Sequence, residues 1–200
     1  DFSTRVSCGT NAEIEHLARL HLTEGKPLIG LVPGGGASWG PNAIFKQWRP
    51  ENFARLADEM ALRHSAQLLL IGDGKEHPLC QEVMRHMKNP CAVLLDAPSL
   101  LVLAGALKEC LLVVGNDSGP MHLAAALGTP TVSIFGPVDP EVYGPFGQEA
   151  ELSSHRVVVK DLACRPCYKE FRFPPCPWDN ACLKTLEVSA VLEVVDAALS

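Results

Sequence analysis

Cys110 to Gly147 reads CLLVVGNDSGPMHLAAALGTPTVSIFGPVDPEVYGPFG. A short apolar run, Cys110 to Val114, ends at Gly115. Asn116-Asp117-Ser118-Gly119 follows, a cluster of residues that cap helices and make turns. The small residues from Pro120 to Leu127 predict a helix that stops at Gly128. A run rich in β-branched residues, Thr131 to Phe135, predicts a second strand, broken by Gly136-Pro137. The unit is strand–helix–strand. It sets a carboxylate, a hydroxyl and a glycine between a strand's carboxyl end and a helix N-terminus. Free backbone N–H groups and the positive end of the helix dipole suit an anion such as phosphate at that point. An ordinary crossover helix capped by Asp117 or Ser118 would carry the same residues.

The alternation continues upstream. Asn11 to Leu22 places Ile14, Leu17, Ala18 and Leu20 at helical spacing. Leu28 to Val32 is a continuous apolar run, as in a parallel strand buried on both faces, and Pro33-Gly34-Gly35-Gly36 breaks it. A helix is predicted from about Glu51 to His64. A strand follows from Gln67 to Ile71, closed by Gly72-Asp73-Gly74, then a helix from Lys75 to Met87 with Glu76 in its first turn. Ala92 to Leu95 is a third strand, and Ser99 caps a helix from Leu100 to Glu109. Downstream, a sixth strand is expected at Arg156 to Lys160. A last helix, Glu187 to Leu199, carries Val188, Val191, Leu192 and Val195 on one face. Strands separated by helices at this interval indicate βαβ units: an α/β fold with a parallel sheet and helices on both faces.

The loop from Gly34 to Pro50 is long for a compact domain, a length usually tied to function or disorder. Gly34, Gly36 and Gly40 do not match the dinucleotide fingerprint, and no Gly-Lys-Ser/Thr makes it a P-loop. Lys46, just before Trp48, is either a solvated surface lysine or a point charge for a diphosphate.

A hydrophobic fraction of 47% and a charged fraction of 20% over 200 residues suit one globular domain spanning 1–200. A net charge of −6 without a basic stripe argues against nucleic acid. No apolar run approaches the ~18 residues that cross a bilayer. Asp1 to Thr10 lacks the basic start and apolar centre of a signal peptide. The chain begins with Asp rather than Met, so a fragment of a longer protein is expected.

Of eight cysteines, Cys8, Cys80, Cys91 and Cys110 lie in apolar or helical contexts that suit buried thiols. The other four, Cys164-x2-Cys167-x8-Cys176-x5-Cys182, crowd an irregular, proline-rich segment at 161–184 that needs a staple. Cys-x2-Cys is the usual first pair of a four-thiolate zinc site, but the second pair is spaced wider than in a zinc ribbon. Structural zinc, reduced thiols and disulfides are all open readings, and a reducing compartment disfavours the last. A catalytic cysteine is not expected, because no histidine shares a motif with one.

Asp117-Ser118-Gly119-Pro120-Met121-His122, with Ala124 to Pro130 and then Phe135-Gly136-Pro137, resembles the heptosyltransferases of glycosyltransferase family 9. Those enzymes add heptose to the lipopolysaccharide core. Pro33-Gly34-Gly35, Trp39-Gly40-Pro41 and Lys46-Gln47-Trp48 are similar to the family's Pro-Gly-Ala…Gly-Pro…Lys-Arg-Trp-Pro loop, whose lysine contacts the donor phosphates. This chain departs from it in a longer stretch between Pro41 and Lys46 and in Arg49 before Pro50. Val138-Asp139-Pro140-Glu141 resembles a family segment lining the donor site, and the cysteine stretch is similar to one that the family often carries.

The resemblance covers roughly residues 27 to 199. It implies a Rossmann-like nucleotide-sugar-binding domain, the C-terminal half of a GT-B glycosyltransferase. The donor-binding residues it implies are Gly34, Gly35, Lys46, Glu76 (on the ribose), Asp117, Ser118, Gly119 and His122. The loop Asp96 to Ser99 is expected to wall a base pocket. The family's general base lies in the other half, so no catalytic residue is expected here and the chain alone is expected to be inactive. The implied partners are an ADP-heptose-type nucleotide sugar and, through the other half, a lipopolysaccharide core acceptor. A cytoplasmic location with peripheral contact at the inner membrane is implied too. The chemistry needs no cofactor. A non-catalytic nucleotide-binding or zinc-stapled interaction module, another GT-B glycosyltransferase and a nucleotide-sugar epimerase are the competing readings. The loop around Lys46 and the pattern from Asp117 to His122 favour a heptosyltransferase-like enzyme over all of these.

Overall fold

The computed structural model describes residues 22–145, 154–170 and 172–200. Its strands are β1 (Leu28–Val32), β2 (Gln67–Gly72), β3 (Ala92–Leu95), β4 (Leu112–Asn116), β5 (Thr131–Phe135) and β6 (His155–Val159). They form one parallel sheet in the order β3-β2-β1-β4-β5-β6. The chain therefore builds outward from β1 to one edge, returns, and builds outward again from β4. Between β1 and β4 the winding reverses, and in such sheets ligands bind at the carboxyl ends of the strands beside that point.

The helices are α1 (Pro50–His64), α2 (His77–His86), α3 (Leu100–Glu109), α4 (Gly119–Ala126), α5 (Pro140–Tyr143), α6 (Ala181–Lys184) and α7 (Val188–Ala198). Side-chain alternation along the strands divides the core. Ile29, Leu31, Leu68, Leu70, Val114 and Ile134 face Phe53, Leu56 and Met60 of α1, Val83 of α2, and Val191 and Val195 of α7. Leu28, Val32, Leu69, Ile71 and Val113 face Val102 and Leu107 of α3 and Met121 and Ala124 of α4. Because both faces are covered, β1, β4 and β5 are buried end to end, which is why they read as unbroken apolar runs.

Several expectations shift in detail. The strand expected from Cys110 to Val114 runs from Leu112 to Asn116 instead. Cys110 closes α3, its N–H bonded to Leu107 O, and the register Gly30↔Val113 carries β4 two residues further. The helix expected from Lys75 opens as a 3-10 turn, Gly74–Glu76, because Asp73 and Glu76 form a reciprocal capping box there. The long loop is not irregular throughout: Ala37–Lys46 winds as 3-10 turns, kinked at Gly40. The helix expected from Asn11 lies, but for Leu22, outside the described residues, as does Cys8. No helix among the described residues is long and apolar enough to cross a membrane.

Candidate functional site

Val32 and Gly115 pair at the ends of β1 and β4, so the loops that follow meet over the switch point. Asn116, fully buried, ties them together. Its side-chain amide donates to Pro33 O at 2.6 Å and accepts from the Trp48 backbone N–H at 3.0 Å. The Trp48 indole, also fully buried, donates to Leu186 O at 3.0 Å and packs edge-on against Phe53. Sequence reasoning saw Asn116 only as part of a turn cluster, and nothing local marks it as a clamp.

The glycine loop rests on Glu76. A side chain at Gly34 would run into the Glu76 carboxylate, and Gly36 holds φ at 90°, where a Cβ is strained. Burial pushes the Glu76 pKa up; hydrogen bonds from the Asp73 and Gly36 backbones pull it back. The 3-10 turns absorb the extra loop length and return Lys46 to the site. Lys46 Nζ lies 2.7 Å from Asp117 Oδ2, with only 3% of its side chain exposed, and 4.1 Å from the centre of the Trp39 ring. Burial pushes the Lys46 ammonium pKa down, and the Asp117 carboxylate acts against it. His122 Nε2 stands 3.5 Å from Asp117 Oδ1, its ring about half exposed.

Above these loops opens a cleft of about 530 Å³. Gly36, Ser118 and Gly119 line one side, and Asp73, Glu76 and Asp96 give it three carboxylates. Ala97, Leu100 and Leu103 form an apolar wall, in the place expected of a base pocket. No side chain caps α4: Asp117 is turned to Lys46, and the buried Ser118 Oγ has no hydrogen-bond partner among the described residues. The N-terminus of α4 thus keeps its dipole toward the cleft that Ser118 and Gly119 line, and Gly119 leaves open space there.

Of the donor residues implied by the resemblance, Glu76, Ser118 and Gly119 line the cleft. Gly34 and Gly35 are buried behind it, and Lys46, Asp117 and His122 form a row beside it. Asp139 caps Glu141 N–H at 3.0 Å. The arrangement offers an anion site, carboxylates for hydroxyl groups and an apolar slot for a flat ring.

Cys164, Cys167, Cys176 and Cys182 come together around a separate cavity of about 20 Å³. All four are free thiols, and burial pushes the Cys182 thiol up to about 11. Among the described residues the one trio of candidate metal ligands whose atoms lie within 4.8 Å of each other is Glu51, Glu82 and His86, on α1 and α2. The four sulfurs are therefore spread more widely than the ligands of one bound ion.

Comparison with known proteins follows the same lines. The family model for glycosyltransferase family 9 (heptosyltransferase) matches residues 7–171. Lipooligosaccharide heptosyltransferase 2 of Campylobacter jejuni is 34% identical over 179 residues, covering 87% of this chain and 51% of the relative. Lipopolysaccharide heptosyltransferase 2 of Salmonella typhimurium is 32% identical over 135 residues, covering 66% and 37%. The crystal structure of a family 9 glycosyl transferase from Veillonella parvula matches with a TM-score of 0.72 at 25% identity, over 94% of this chain and 50% of its own. The E. coli ADP-heptose lps heptosyltransferase II shares the fold at a TM-score of 0.70 and 24% identity, over 96% and 52%. The chain spans about half the length of the first of these relatives and of both solved structures.

Proposed function

The chain belongs to glycosyltransferase family 9, the heptosyltransferases, and we propose that it is the donor-binding half of a two-domain GT-B enzyme of that family, its C-terminal half. The observation that carries the reading is the N-terminus of α4, capped by no side chain and lining, through Ser118 and Gly119, a cleft at the switch point of the sheet. The proposed donor is an ADP-heptose-type nucleotide sugar.

Each residue then has a role. The diphosphate sits at Gly119 and Ser118, where the helix dipole and backbone N–H groups stabilise the charge that builds on the leaving group. A phosphate oxygen reaching Lys46 takes over from Asp117 as its counter-ion, which frees the Asp117 carboxylate for a sugar hydroxyl. Glu76 accepts from the ribose, and Ala97, Leu100 and Leu103 cover the base. His122, one turn into α4 and against Asp117, positions that carboxylate. Glycosyl transfer also needs an acceptor hydroxyl held in line with the anomeric carbon and a base within hydrogen-bond reach. Those belong to the other half, with a lipopolysaccharide core as acceptor, in the cytoplasm and in peripheral contact with the inner membrane. The chain by itself binds donor and transfers nothing.

Calorimetry with ADP-heptose and with ADP tests this. Both are expected to bind, the sugar nucleotide more tightly. Asp117→Asn, which keeps the shape of the side chain, is expected to narrow that difference. An equal loss for both ligands removes the sugar role from Asp117, and no binding of either defeats the reading. Incubation of the chain with ADP-heptose and a truncated lipopolysaccharide acceptor should give no product above the no-enzyme rate. Product would mean that the chain holds its own base.

A further inference from the structure

We propose that Asp96 selects the nucleobase of the donor: its carboxylate accepts from an exocyclic amine and turns away a base that presents a carbonyl oxygen at the same edge. The inference rests on the reading of the cleft as a nucleotide site. Asp96 follows β3 directly and lines the cleft next to Ala97, where the apolar wall of Ala97, Leu100 and Leu103 begins. Leu100, on that wall, is 67% exposed, apolar surface that a flat ring would cover. A ring laid against the wall has its edge, not its face, free to meet the carboxylate.

Three features hold the carboxylate in place. The Asp96 backbone adopts a φ of 53°, in the left-handed region that Asp tolerates better than most residues. Its N–H donates to Gly72 O at 3.1 Å, which ties it to the end of β2. A Cβ on Gly74 would come 2.9 Å from Asp96 Oδ1, so that glycine leaves the side chain its space. His77, the first residue of α2, brings Nε2 to 3.0 Å from Asp96 Oδ2, an ion-pair distance without the alignment of a hydrogen bond.

The other two carboxylates of the cleft are occupied with backbone groups. Asp73 Oδ1 accepts from the Lys75 and Glu76 N–H groups at 2.9 and 3.1 Å, and Glu76 Oε2 accepts from the Asp73 N–H at 3.2 Å. Among the described residues no backbone N–H is bonded to the Asp96 carboxylate. Its side chain is 56% exposed, so a ring closing over it strips water from a charged acceptor. An amine offsets that loss with a charge-assisted hydrogen bond, whereas a carbonyl oxygen adds repulsion to it. Adenine carries such an amine at N6 and cytosine at N4. Hypoxanthine has a carbonyl oxygen where adenine has its amine.

Adenosine and inosine diphosphates share the purine frame, the ribose and the diphosphate, so the pair isolates the base edge. Calorimetry of the wild-type chain is expected to show ADP binding at least about tenfold more tightly than inosine diphosphate, the size of one hydrogen bond to a charged group. Asp96→Asn suits the same left-handed backbone and can donate to the carbonyl oxygen, so it should bring the two affinities to within about threefold. Asp96→Gly, also at ease at this φ, should lower the ADP affinity to about that of inosine diphosphate. Binding of inosine diphosphate by the variants reports that the cleft is intact. Equal binding of the two nucleotides by the wild type overturns the inference, and so does an ADP preference that survives in both variants; in either case the donor site stands. No binding of either nucleotide by the wild type defeats the donor-site reading itself, and this inference with it.

Discussion

Asp117 meets two basic side chains, Lys46 at 2.7 Å and His122 at 3.5 Å, in surroundings that leave only 6% of its side chain exposed. A buried pair of this kind adds little beyond its desolvation cost, but breaking it strands a charge. Lys46→Ala or Asp117→Ala alone should therefore lower stability in urea by about 3–5 kcal/mol. The double variant should lose clearly less than the sum; strict additivity would show that the two do not interact. Both residues were legible as donor-site candidates from their motifs. Their bond to each other was not, because it depends on how the loop between Gly36 and Lys46 winds. Asn116 was less legible still: a turn-forming residue in the sequence, it bridges two loops from the end of a strand. Asn116→Ala should cost about 1–3 kcal/mol for each backbone group left unpaired, and a loss below 0.5 kcal/mol would mean that water replaces the amide. The buried thiols Cys80 and Cys110 are both pushed up to about 12. Between the unfolded value of 9 and that figure the folded chain holds more protons than the unfolded one. Each thiol then removes stability as pH rises, by about 1.4 kcal/mol per unit. Urea melts at pH 8 and 10 should show this downward slope reduced in Cys80→Ala and Cys110→Ala relative to the wild type. An unchanged slope would mean that neither thiol is shielded.

Among the elements, strands were the most legible because burial on both faces writes an unbroken apolar run, as in Leu28–Val32 and Thr131–Phe135. Helix α3 was legible at its start, where Ser99 Oγ accepts from Val102 N–H at 3.2 Å. The start of β4 was not, because Cys110 and Leu111 are as apolar as the strand they precede. The capping box at Asp73 and Glu76 did leave a sequence signal, an acidic cap with Glu three residues later. The reading of Glu76 as a dipole or ribose residue passed over it. The 3-10 stretch Ala37–Lys46 left none, since its conformation comes from packing Trp39 on Tyr168 and Phe173. Trp39→Ala should leave the unfolding midpoint of the sheet nearly unchanged, speed proteolytic cutting between 160 and 180, and weaken ADP binding. Cutting at the wild-type rate would separate that segment from the Lys46 loop.

At the scale of the molecule, the strand order places the ends of β1 and β4 side by side, so the glycine loop and the Asp117–Gly119 loop meet there, with the acidic turn after β2 next to the glycine loop. Sequence spacing was enough for a parallel α/β sheet, since each apolar run is followed by a helix. It was not enough for the order of strands or for the cleft, which depend on long-range register. The central claim is that an ADP-type nucleotide binds at that switch point, with its diphosphate on the N-terminus of α4. Amide chemical shifts of the chain during titration with ADP test it most directly. The largest changes are expected at Gly36, Ser118 and Gly119, with smaller ones at Ala97, Leu100 and Leu103. Changes centred elsewhere, for instance around Glu51, Glu82 and His86, or none at saturating nucleotide, would contradict it.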